Sequence, residues 1–78
     1  MTTDSRTWID RFAEALGVDA PSDDEVAQVL DLAGVAAHAA ERTAAPVSCW
    51  MVARAGVPLA GALVAARELA TSLETPAG

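Results

Sequence analysis

Few side chains in this sequence can do covalent chemistry, and they are quickly named: Cys49 and His38, each the sole residue of its type, and serines such as Ser48. Nucleophilic catalysis needs a nucleophile, a base and an orienting group in contact. Ser48 or Cys49 with His38 and Asp31 supply the types. Asp31 and His38, however, stand two turns apart on one helix face, beyond a direct hydrogen bond between their side chains. Cys49 follows an expected helix start at Pro46, where the helix dipole favours an anion. No G-x-S-x-G or papain-like surroundings accompany it. The expected roles are therefore bland ones, Cys49 as a small apolar residue and His38 as a solvated one. One Cys and one His cannot assemble a structural zinc site. The carboxylates Asp23, Asp24 and Glu25 are the obvious acid–base pairing, but with Ser22 they read more simply as a capping box at the positive end of a helix dipole. They lack the alternating ligands and central Gly of a calcium loop. Gly56 and Gly61 lie apart and follow no strand, so no phosphate-cradling loop is present. The chain is expected not to be an enzyme, with no catalytic residue, no metal and no cofactor.

Binding is the remaining possibility. On one helix Asp31, Val35, His38 and Arg42 project to the same side, opposite the main apolar stripe. They form a candidate interaction patch for a protein partner or an anionic ligand. The competing explanation is an ordinary solvated face with one Glu41–Arg42 pair. Gly34 within this helix costs up to about 1 kcal/mol and marks a place of close helix approach, internal or with a partner. Trp50 and Met51 are the candidate partner-facing apolar residues.

The elements that must position these groups are helices. Four segments carry helical periodicity and none alternates as a half-buried strand does. The first spans about 5–16, capped by Asp4 or Ser5, with Trp8, Ile9, Phe12 and Leu16 on one face and Gly17 as its stop. The second spans about 23–42, with Val26, Val29, Leu30, Ala33, Ala37 and Ala40 on a face that Leu32 and Ala36 widen. The third runs from Pro46 to Ala55, since proline suits the first helical position, and Gly56 ends it. The fourth runs from about Pro58 to Leu73, with Leu59, Ala62, Leu63, Ala66, Leu69, Ala70 and Leu73 on one stripe. Four short-linked helices of unequal length predict an all-α fold: one domain, a compact, irregular four-helix bundle.

Composition narrows the partners. The 78 residues carry a net charge of −6, and all five basic residues are arginine. Scattered arginines on an acidic chain give no positive footprint for nucleic acid or anionic membranes. The apolar stretch 43–66 is cut by Pro46, Arg54, Gly56 and Pro58, so no membrane span is expected. The opening Met-Thr-Thr-Asp-Ser has neither the basic nor the apolar region of a signal peptide, which makes the cytoplasm the expected compartment. At 53% hydrophobic residues the chain holds more apolar surface than so small a domain can bury. A protein partner or a homo-oligomer is expected to take up the excess.

The run from Leu30 to Pro46, Leu-Asp-Leu-Ala…Val-Ala…His…Glu-Arg…Ala-Ala-Pro, together with Trp8 and the Leu16-Gly17 stop, resembles a small bacterial domain of unknown function. That domain occurs alone or fused to molybdenum-cofactor guanylyltransferases and is labelled a molybdopterin-guanine dinucleotide biosynthesis protein. The resemblance implies a setting and no mechanism, because guanylyltransferase chemistry belongs to the separate nucleotide-binding domain. Here Val47-Ser48-Cys49-Trp50-Met51 departs from the hydroxyl residues and aliphatic run that usually follow Ala-Ala-Pro. The expected function is a non-catalytic accessory protein, acting in molybdenum-cofactor metabolism or in assembly of a molybdoenzyme such as a formate dehydrogenase, with that enzyme or a cofactor-assembly protein as partner. The alternative is a small-molecule module for a pterin or nucleotide, with His38 and Arg42 on a phosphate and Trp50 stacked on the ring.

Overall fold

The computed structural model describes residues 3–74, which form four helices and, among the described residues, no strand. The first, α1, is Ser5–Leu16. Asp4 caps it, its carboxylate accepting from the Thr7 amide at 2.8 Å. Gly17 ends it at φ 73°. The amides of Gly17 and Val18 then reach the carbonyls of Glu14 and Ala13, which is the Schellman closure that needs a left-handed residue. The second helix, α2, is Asp23–Ala39, opened by the expected capping box: the Glu25 amide donates to Ser22 Oγ at 3.1 Å, and the Ser22 amide donates to Glu25 Oε1 at 2.8 Å.

Both termini of the next junction differ from expectation. Ala40 leaves helical geometry at φ −132°, ψ −106°, so α2 stops at Ala39 and Arg42 is not its last residue. A tight turn follows, in which the amides of Ala44 and Ala45 donate to the carbonyls of Glu41 and Arg42. That turn starts α3 early, at Ala44, and it runs to Ala55. Pro46 thus occupies the third helical position, where the backbone still needs no N–H. Gly56 at φ 70° closes α3. The last helix, α4, is Leu59–Glu74, its first bond accepted by the Pro58 carbonyl from Ala62.

The architecture is the irregular all-α four-helix bundle that the periodicity predicts. Its packed part is α2 with α3 on one side and α4 on the other. Because α2 has two neighbours, its buried stripe runs along Val29, Leu32, Ala33 and Ala36. Leu32 is its most enclosed residue at 3% exposure, whereas Leu30, expected on the buried face, is 64% exposed. Ala62 and Leu63 are the buried residues of α4, and α3 buries none fully.

Helix α1 makes no comparable contact with any other helix. It buries Ala13 and half-buries Ile9, and the segment Val18–Pro21 lines the same hollow. Arg6 fixes its position. The guanidinium holds Asp10 on its own helix through Nε and Nη2, at 3.1 and 2.8 Å. It also donates to the Pro21 carbonyl at 2.8 Å and to Asp23 at 3.3 Å. The hydrogen bond to Asp10, then the charges of Asp10 and Asp23, hold the guanidinium above its ordinary pKa. The Trp8 and Phe12 rings stack at 5.6 Å on the exposed side. The result is an extended particle, 50 × 30 × 18 Å with a radius of gyration of 14.4 Å. A compact chain of this length has a radius of about 11.5 Å.

Two predictions follow from this packing. Leu32→Ala removes the best-buried side chain and should cost about 2–4 kcal/mol, enough to leave the domain largely unfolded in a thermal melt. Hydrogen bonds from Thr7, its backbone amide first and then its side chain, hold the Asp4 carboxyl below the usual carboxylate value. A depressed carboxylate contributes stability that is fully present above its unfolded pKa near 3.8 and is lost as the pH falls through the lower folded value. NMR should therefore show the Thr7 amide shift titrating below pH 3.8, with α1 fraying first.

Candidate functional site

The groups that can do chemistry are not brought together. Cys49 is half-buried on α3 and lines a hollow with Val29, Val52, Ala53, Val57 and Leu59, none of which can act as a base. With α3 starting at Ala44, Cys49 lies in its second turn and not at its N-terminus. Ser48 faces a different, apolar groove between α2, α3 and α4. His38 is exposed and lines a third hollow. Among the described residues no group of three or more His, Cys, Asp or Glu side chains is placed to hold a metal ion. Asp23, Asp24 and Glu25 occupy the first turn of α2, where Glu25 completes the cap and Asp23 receives Arg6.

The candidate patch on α2 is divided. Asp31 is exposed on the helix. Val35 is half-buried against α4 and lines both the apolar groove and the His38 hollow. His38 opens towards Arg67, Thr71 and Glu74, which sequence reasoning had not singled out although they recur at helical spacing along α4. Arg42 sits in the turn beyond α2 because the helix ends at Ala39, so it is not one helical turn from His38. No ion pair joins it to Glu41 among the described residues. Trp50 lies on α3, outside the hollow that His38 lines, and the Arg54 guanidinium stands over its ring at 5.3 Å.

Apolar surface is the more developed feature, and it occurs in three places. The outer face of α3 presents Val47, Trp50 and Met51, each about 60% exposed, ending at Arg54. The outer face of α1 presents Trp8, Phe12 and Leu16. Between α2 and α4 runs a groove of about 160 Å³ lined by Leu32, Val35, Ala36, Ala66, Leu69 and Leu73, with Ser48 at its α3 wall. No described helix is long and apolar enough to cross a membrane.

A family model described as a domain of unknown function, DUF6457, matches residues 2–78. The chain belongs to this family. No curated protein and no solved structure matches it.

Arg42 makes no ion pair with a described residue and is exposed, so Arg42→Ala should change stability by no more than about 0.5 kcal/mol in chemical denaturation. A larger loss would show that the turn between α2 and α3 depends on its side chain.

Proposed function

We propose that this DUF6457 domain is a non-catalytic accessory protein that docks on another protein through the outer face of α3. The observation that carries the proposal is the stripe Val47, Trp50, Met51 and Arg54. It places an exposed tryptophan and methionine beside an arginine on a helix that already has its inner side against α2. Trp, Met and Arg are enriched in protein interfaces relative to the rest of the surface. The Arg54 guanidinium stands 5.3 Å from the centre of the Trp50 ring, a cation–π contact that places a charge beside the apolar stripe.

The resemblance of the Leu30–Pro46 run and of Trp8 to the domain that accompanies molybdenum-cofactor guanylyltransferases supplies the setting. The partner proposed is a molybdoenzyme, such as a formate dehydrogenase, or a protein that assembles its cofactor. A pterin or nucleotide module would need His38, Arg42 and Trp50 around one ligand, whereas the hollow that His38 lines is completed by Arg67, Thr71 and Glu74 and not by Arg42 or Trp50. The docking reading has the better support.

The test is affinity capture of the tagged chain from its own host, comparing wild type with Trp50→Ala. Wild type should recover a molybdoenzyme or cofactor-assembly protein. Loss of an interface tryptophan typically costs 2 kcal/mol or more, so the variant should bind it roughly 30-fold more weakly in a titration. Trp50 is exposed, so helicity should be unchanged. Equal binding by the variant would remove α3 from the interface.

A further inference from the structure

Helix α1 is joined to the rest of the molecule by a narrow seam. Of its 12 residues only Arg6, Ile9 and Ala13 are not exposed. Their spacing of three and then four residues puts them on one line along the helix. By contrast α2 is packed between α3 and α4, and α1 makes no comparable contact with any helix. Ala13 removes little area from water and Ile9 is only half-buried, so the apolar part of the seam is slight. The aromatic side chains of α1 stand outside it: Trp8 is 61% exposed, and its ring stacks on that of Phe12 within the same helix.

The hydrogen bonds divide at the same place. Asp4 caps α1 on the Thr7 amide, and the amides of Gly17 and Val18 close its other end on Glu14 and Ala13. Helix α2 starts afresh, with its own reciprocal cap between Ser22 and Glu25. Neither cap draws on the other helix. Among the described residues, the hydrogen bonds that leave α1 for the rest of the chain come from the Arg6 guanidinium, to the Pro21 carbonyl at 2.8 Å and to Asp23 at 3.3 Å. An isolated helix shorter than about 12–15 residues is marginal in water. Once its seam parts, α1 has no packing left to hold its backbone, so undocking and melting coincide.

We propose that residues 4–18 form an order–disorder segment latched by Arg6, which undocks and melts as one unit while α2, α3 and α4 stay folded. Opening breaks the two outward bonds of Arg6 and uncovers Ile9 and Ala13, and it leaves the packing of α2 against α3 and α4 in place. A segment with so few contacts to its surroundings opens at a free energy below that of global unfolding. Released, it uncovers the start of α2 and carries Trp8, Ile9, Phe12 and Leu16 on a disordered chain. The α3 stripe lies on the part that stays folded, so the proposal does not depend on the accessory role or on its partner.

Native-state hydrogen exchange of the full chain, followed amide by amide by NMR, tests it with two variants. In wild type the amides of Ile9 to Leu16 should share one opening constant, about 10-fold or more above that of the α2 amides around Leu32. Arg6→Ala removes the latch. A part-buried hydrogen bond from a charged group is worth a factor of about 10 or more, so α1 should open about 10-fold more often, with α2 unchanged. Asp10→Asn breaks only the ion pair within α1 and should raise its opening no more than about two-fold. One opening constant common to α1 and α2 overturns the proposal, because the helices would then open together. So does an Arg6→Ala variant whose α1 exchanges as in wild type, or one that speeds exchange in α1 and α2 alike. An Asp10→Asn variant as labile as Arg6→Ala would place the effect in the helicity of α1 itself and remove the latch.

Discussion

Everything in this fold depends on α2 having two neighbours. A helix that packs on one side only can place its polar residues over half its surface. One enclosed by α3 and α4 must be apolar or small over a much wider arc. Leu32 sits at the middle of that arc, and the alanines around it let the flanking helices approach closely. The capping box at Ser22 sets where α2 begins, and the break at Ala40 sets where it ends. That break in turn determines the start of α3, the placing of Pro46 and the removal of Arg42 from the helical face.

Alanine makes such packing close but shallow. Two of the four buried residues among those described are alanines, and an alanine removes little area from water. The larger apolar side chains mostly stand outside. Trp8, Leu16, Trp50, Leu69 and Leu73 are all about 60% exposed or more. The same composition therefore produces both the thin interior and the wealth of contact surface, and the chain's function is most economically sought in what those outer faces meet.

Local chemistry was legible in the sequence wherever a residue's own geometry decides it. Gly17 and Gly56 adopt the left-handed conformation that ends a helix, and Ser22 with Glu25 closes a reciprocal cap. Apolar periodicity located four helices for the same reason. It failed where the answer depends on neighbours. Leu30 and Leu32 are equally apolar, and only the placement of α3 and α4 buries one and exposes the other. Pro46 marked a helix start but not the turn at Glu41–Arg42 that begins it two residues sooner. The side chains around His38 come from α4, more than twenty-five residues away, so no local pattern could gather them. The stripe on α1 was visible as a stripe, but periodicity does not say what lies against it.

The clamp at Arg6 has one more consequence. Its bonds to Asp10 and Asp23 are ion pairs between side chains with 41%, 53% and 96% of their surface in water. Pairs this exposed are screened by electrolyte, and the Debye length shortens from about 10 Å at 0.1 M to about 3 Å at 1 M. Of these pairs only the one to Asp23 reaches beyond α1, so strong brine weakens one tie of that helix and leaves the hydrogen bond to the Pro21 carbonyl and the burial of Ala13 to hold it.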